Sequence, residues 1–239
     1  MVVAVPTRAL QAHAAAPSER QPPRARKLAL KRVARLEQRA RTPSPPPFDA
    51  DAAALPFAVY PNLCPGLSVE ALTGEADFRR DDVVTASGAL LPESRLTGWQ
   101  SDVGASFHYS GKTMEPSGPL TPRVAAVRDA LHQRFGVRYD SVLLNLYPCG
   151  ASAMRFHSDP GQGVEWQEDT AVVSVGSERR FVFREIADHS RRWAYTLRGG
   201  DCVRMFADCQ TRLQHAVLSE AGDVAPRVSL VFKLSRTQV

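Results

Sequence analysis

From residue 142 onward the chain is a succession of short runs rich in Val, Phe, Tyr and Leu, and this spacing is what most restricts its fold. The runs are Val142 to Tyr147, Ala171 to Val175, Arg180 to Arg184, Trp193 to Leu197, Asp201 to Phe206 and Arg227 to Leu234. Gly176, Gly199, Gly200 and Gly222 lie between them at turn positions. Arg227 to Leu234 alternates polar and apolar residues, the period of a half-buried strand. Many short strands separated by glycine turns predict a mainly β (α+β) protein built as a sandwich or jelly roll.

Upstream, the patterns are helical or irregular. Thr121-Pro122 opens a helix with apolar positions at Val124, Val127, Leu131 and Phe135 and a stop at Gly136, with Thr as cap and Pro in the first turn. Ser68 is the N-cap of a shorter helix through Val69-Glu-Ala-Leu-Thr-Gly. Residues 79 to 98 read as loop and short extended pieces. The globular part is expected to begin near Phe48 to Phe57, giving a tail over residues 1–50 and a domain over 51–239.

The net charge of +5 is unevenly spread. Residues 1 to 47 hold ten Lys or Arg against Glu19 and Glu37, a surplus of eight that leaves the rest of the chain acidic. The Ala-, Pro- and Arg-rich tail admits three readings: an organellar transit peptide, a nuclear signal or nucleic-acid arm, and a solvated disordered tail. Cys64, Cys149, Cys202 and Cys209 form no Cys-x-x-Cys pair, which argues against a disulfide framework or zinc site and for a reducing, intracellular setting, in the nucleus or an organelle. No run of about 18 apolar residues exists, so no membrane span is expected. A monomer is the default.

The chemistry gathers in Val142 to Asp159, which ends in the pair His157-x-Asp159. Residues two apart on a strand face the same side. With His215, 58 residues on, they make two histidines and one carboxylate, a set that leaves three positions of a non-haem iron open. Plainer accounts exist for each residue alone. Asp159 precedes Pro160 and fits the start of a turn, and a lone His215 fits a core or surface position. Asn145 and Tyr147 share one side of the strand leading to this pair, and Arg227 and Ser229 share one side of the last strand. A guanidinium holds a carboxylate through two parallel hydrogen bonds, so the set suits a small dicarboxylate beside the iron. Taken singly, Arg227 also fits a surface ion pair.

In order, Asn145-x-Tyr147, Gly150, His157-x-Asp159, Ser174-Val-Gly176, Arg180-Phe-Val-Phe-Arg184, Leu197-x-x-Gly200-Asp201, His215 and Arg227-Val-Ser-Leu resemble the AlkB family of Fe(II)- and 2-oxoglutarate-dependent dioxygenases. Arg95-Leu-Thr-Gly-Trp and Phe107-His-Tyr-Ser-Gly111 resemble its animal nucleic-acid-repair members, and the likeness spans roughly Arg95 to Leu234. The resemblance implies a double-stranded β-helix (jelly-roll) core with flanking N-terminal helices. It implies iron held by His157, Asp159 and His215; 2-oxoglutarate held by Asn145, Tyr147, Arg227, Ser229 and Lys233; and Phe107, Tyr109 and Ser110 gripping the substrate base. The reaction it implies is oxidative demethylation of N-alkylated bases in DNA or RNA, consuming O2 and 2-oxoglutarate and releasing succinate, CO2 and formaldehyde.

Three positions depart from that pattern. Pro160 stands where the repair members carry an acid, Lys233 where a second arginine is usual, and Ser229 where an asparagine is usual. Lysine keeps the charge but not the planar fork. Arg179, Arg180, Arg184, Arg191 and Arg192 form a local basic cluster for phosphates, with a solvated hairpin as the plain alternative. Pro160 and the acidic body also fit a related oxygenase of protein or a small molecule. A non-catalytic nucleic-acid-binding jelly roll is the reading from another class; three intact candidate ligands argue against it.

Overall fold

The computed structural model describes residues 55–84 and 88–236; the expected tail lies outside them. In chain order the elements are β1 (Phe57–Tyr60), α1 (Val69–Thr73), β2 (Asp82–Val84), β3 (Leu90–Pro92), β4 (Leu96–Ser101), β5 (Phe107–Tyr109), β6 (Lys112–Met114), α2 (Pro122–Phe135), β7 (Ser141–Tyr147), β8 (Met154–His157), β9 (Trp166–Gly176), β10 (Arg179–Glu185), β11 (Arg192–Leu197), β12 (Cys202–Met205), α3 (Cys209–Arg212), β13 (Leu213–Val217) and β14 (Arg227–Ser235). No described helix is long and apolar enough to cross a membrane.

A six-stranded sheet in the order β1-β12-β9-β14-β7-β4 packs against a four-stranded sheet, β11-β10-β13-β8. β2–β3 and β5–β6 are separate two-stranded hairpins. This is a jelly roll. β14 pairs antiparallel with β7 on one side and β9 on the other, so its alternation sorts side chains between two layers. Val228, Leu230 and Phe232 join Val142, Leu144, Val173 and Val175 in a core that includes Val124, Val127 and Leu131 of α2. Arg227, Ser229, Val231 and Lys233, the alternate residues, take the opposite face, toward the smaller sheet. Tyr147, Val172, Val203 and Met205 of the large sheet meet Phe181, Phe183, Leu213 and Val217 of the small one in a second core.

α2 follows its sequence signals closely. Pro122 occupies the first turn and Gly136 ends the helix at φ 72°, where a side chain would be strained. Thr121 makes no side-chain cap bond; its backbone N–H donates to Gln100 Oε1 at 3.1 Å. Ser68 does cap α1, accepting from the Ala71 N–H at 3.2 Å.

One expectation is corrected. His157 and Asp159 do not share a strand. β7 ends at Tyr147, a turn follows, and β8 ends at His157. Asp159 lies in the loop beyond, before Pro160, which has no N–H to donate to a ladder. Residues 79–98, read as loop and short extended pieces, contain the short strands β2 and β3 and the start of β4, as expected. β4 is an edge of the large sheet whose Thr97 is bridged by Arg79.

Leu131 is fully buried under the large sheet. Leu131→Ala is expected to cost about 2–5 kcal/mol, read as a lowered urea midpoint; a loss below about 1 kcal/mol would mean α2 is not a core element.

Candidate active site

β8 and β13 are neighbours in register, with His157 opposite His215, so two imidazoles from distant segments stand side by side, ring centroids 4.3 Å apart. Asp159 reaches them from its loop. Its Oδ1 lies 3.6 Å from His157 Nε2 and 3.5 Å from His215 Nε2. The three candidate ligand atoms lie within 4.8 Å of one another, close enough to converge on one ion.

The neighbours orient each ligand. His157 Nδ1 lies 2.8 Å from the Arg155 carbonyl oxygen. That oxygen only accepts, so Nδ1 carries the proton and Nε2 keeps its lone pair toward the cluster. His215 is flanked by Phe181, stacked at 5.5 Å with rings 10° apart. Burial lowers the His215 pKa and favours the neutral ring, the form that binds a metal. The Asp159 loop is tied down by its own N–H, donating to Gln210 Oε1 at 2.8 Å, and by Ser158 Oγ, donating to the Leu213 carbonyl at 3.1 Å. Burial alone raises the Asp159 pKa, but the ammonium of Lys233 and the two histidines outweigh it and hold the carboxyl well below its usual range. Lys233 Nζ donates to Oδ2 at 2.9 Å, which leaves Oδ1 turned toward the histidines.

A second feature lies across the pocket. Arg227 is fully buried. Its Nε donates to Ser174 Oγ at 3.0 Å and its guanidinium carbon sits 5.2 Å from the Tyr147 ring centre. Both terminal nitrogens, Nη1 and Nη2, are buried without a hydrogen-bond partner. Leaving buried charged donors unpaired costs at least about 1–3 kcal/mol, and two parallel donors suit one bidentate carboxylate. Arg95, Asn145, Tyr147, Ser229 and the three ligand residues line one pocket, which Arg227 adjoins through Tyr147. A roomier open cleft of about 600 Å³ runs past Arg79, Asp81, Thr97, Lys112 and Glu115; it contains no imidazole or thiol and is not the metal site.

Jelly roll, three convergent ligands and an unpaired guanidinium on the other sheet together point to a mononuclear iron oxygenase with a dicarboxylate co-substrate. The sequence profile of the 2OG-Fe(II) oxygenase superfamily matches residues 67–234, and the chain belongs to that superfamily, within its AlkB-like branch. It is 36% identical over 151 residues to the uncharacterized protein R406 of Acanthamoeba polyphaga mimivirus, covering 63% of this chain and 78% of that one. It is 29% identical to the DNA oxidative demethylase ALKBH2 of Mus musculus, covering 66% and 74%. The solved structure of OsALKBH1 superposes with a TM-score of 0.52 at 13% identity, over 75% of this chain and 98% of that one, a likeness of fold. The enzyme's cofactors are thus Fe(II) and 2-oxoglutarate. The residues present fit both: the donor set suits the metal, and the orphaned guanidinium suits the carboxylate.

Other expected residues are placed differently. Lys233 Nζ is engaged with Asp159, one of the candidate ligands. Asn145 Oδ1 accepts from Arg95 Nε at 2.7 Å, and its amide lies 3.5 Å from Ser229 Oγ. Phe107 is 2% exposed and stacks on Trp99 at 4.8 Å; it packs beneath Tyr109 and offers no face to a base. Tyr109 is half-buried, and Ser110, with Gly111, forms the positive-φ turn of the β5–β6 hairpin. Of the basic cluster, Arg179 is buried and donates to the Cys149 carbonyl, while Arg180 and Arg191 pair with Glu220 and Glu185. Arg184 and Arg192, which like Arg179 pair with no carboxylate among the described residues, flank Phe156 and donate to Gln214 Oε1 and the His189 carbonyl. Sequence reasoning missed Gln210 and Glu93. Neither carries a motif; both act through contacts made in the fold.

Arg227→Met separates a ligand from a scaffold residue. The apoprotein is expected to keep its melting temperature, because an unpaired buried cation is removed. 2-Oxoglutarate affinity is expected to fall roughly 10- to 100-fold, the loss of a charge-assisted pair. Calorimetric titration reads the affinity; an unchanged value rules out the carboxylate role.

Proposed function

We propose that this enzyme removes N-linked alkyl groups from nucleic-acid bases by oxidation. His157, Asp159 and His215 hold Fe(II), and Arg227 takes the distal carboxylate of 2-oxoglutarate with Tyr147 beside it. The observation that carries the reading is the pairing of the convergent His-Asp-His cluster with a buried guanidinium whose two terminal nitrogens are unpaired. Likeness to a DNA oxidative demethylase supports the choice of substrate.

When bound, iron and 2-oxoglutarate supply the oxidation, consuming O2 and yielding succinate and CO2. One oxygen atom enters the N-methyl C–H bond, and the resulting hemiaminal releases formaldehyde and the free base. The chain's own part is placement. Lys233 holds Asp159 by Oδ2, Arg155 holds the His157 ring, and Phe181 shields His215 from water. Arg95 and Asn145 form the wall shared by co-substrate and substrate. Tyr109, on the β5–β6 hairpin with the Arg95 guanidinium 6.0 Å from its ring centre, is the residue offered for stacking on an extruded base. Pro160 has no acid to offer a cationic base, so lesion range rests on the rest of the pocket.

Purified protein with Fe(II) and 2-oxoglutarate is expected to release formaldehyde from oligonucleotides bearing 1-methyladenine or 3-methylcytosine and none from unmethylated controls. His157→Ala is expected to abolish the release. Succinate without formaldehyde across the panel would reject nucleic-acid demethylation and leave the oxygenase acting on protein or a small molecule.

A further inference from the structure

Glu93 is 4% exposed, far more buried than a carboxylate without a task. It follows β3 and precedes β4, and four donor contacts converge on it. Arg95 Nη2 lies 2.9 Å from Oε1 and Lys112 Nζ 2.9 Å from Oε2. The Tyr109 hydroxyl donates to the carboxylate, 3.0 Å from either oxygen. Lys112 also donates to Asp81 Oδ2 at 2.9 Å and to Thr97 Oγ1 at 3.2 Å, and it sits 4.6 Å from the Tyr109 ring centre.

The partners come from different pieces of chain. Tyr109 and Lys112 belong to the β5–β6 hairpin, which has no ladder to the large sheet. Arg95, at the start of β4, lines the iron pocket and donates to Asn145. One carboxylate therefore joins a separate hairpin to the pocket wall. Stability alone is a poor reason for the arrangement, because a buried ion pair gains little over an apolar packing of the same volume. What it uniquely does is fix three side chains relative to one another.

We propose that Glu93 is the positioning residue of the substrate side of the site: its carboxylate fixes the Tyr109 ring and the Arg95 guanidinium, and so decides where a nucleotide is held. The inference rests on the demethylase reading for the identity of what is held. Glu93 touches neither the candidate iron ligands nor Arg227, so it bears on substrate binding and not on metal loading.

The test compares the full-length enzyme with E93Q, Y109F and the double variant. Y109F removes only the hydroxyl and keeps the ring. E93Q is expected to raise the KM and Kd for a methylated oligonucleotide about tenfold, with kcat and 2-oxoglutarate affinity changed less than about threefold. Y109F is expected to give a smaller rise, and the double variant to be no worse than E93Q, since both break one linkage. An E93Q that folds with unchanged KM and Kd overturns the proposal, as do additive losses. If E93Q does not fold, a Y109F with unchanged KM overturns it. If the wild type neither binds nor turns over any oligonucleotide, the demethylase reading fails separately. Hydrogen exchange then decides the clasp: faster exchange over residues 107–114 in E93Q supports it, and unchanged exchange overturns it.

Discussion

The pairing of β14 on both of its edges is the interaction on which the rest depends. Hydrogen-bonded to β7 and β9 along nearly its whole length, this strand has no freedom to slide. Its register sets Arg227 opposite Tyr147 and Ser229 opposite Asn145. A one-residue slip would send Arg227 and Lys233 into the apolar layer beneath α2 and bring Val228 and Leu230 to the pocket. That penalty, spread over Val228, Leu230 and Phe232, holds the polar residues of the site where they are.

The site is a set of buried charges, each solved differently. Asp159 is answered by Lys233 within the protein, so its carboxylate keeps one oxygen engaged and one free. Glu93 is answered by Arg95 and Lys112. Arg227 is answered by no acid; Ser174 takes Nε, and the terminal nitrogens stay open. Desolvation makes such an open pair expensive, and the cost is offset when a carboxylate enters. Arg179, equally buried, differs in having both terminal nitrogens spent on carbonyl and hydroxyl oxygens.

The parts of the site that were legible in the sequence are those with a local code. Alternation over Arg227 to Leu234 marked β14, and Thr121-Pro122 with Gly136 marked α2. The His157-x-Asp159 spacing with His215 pointed to one ion. The code failed where a residue's partner lies on another element. Asp159 sits off the strand, fastened by Gln210. Phe107 is covered by Trp99. Lys233 pairs with Asp159, a contact no local pattern announces. The five arginines of the basic run look alike in sequence, yet in the fold one is buried, two pair with carboxylates and two flank Phe156.

What the sequence determined by itself was six of the strands from β7 onward, the helices α1 and α2, and the residue types able to hold iron and a dicarboxylate, because periodicity and side-chain chemistry are local properties. What only the tertiary structure decided was which of those groups is left free. That depends on register between strands tens of residues apart and on which donors burial brings within about 3 Å of which acceptors. Glu93 gives no signal in the linear chain. It becomes the shared partner of Arg95, Tyr109 and Lys112 only when β4 and the β5–β6 hairpin close around it.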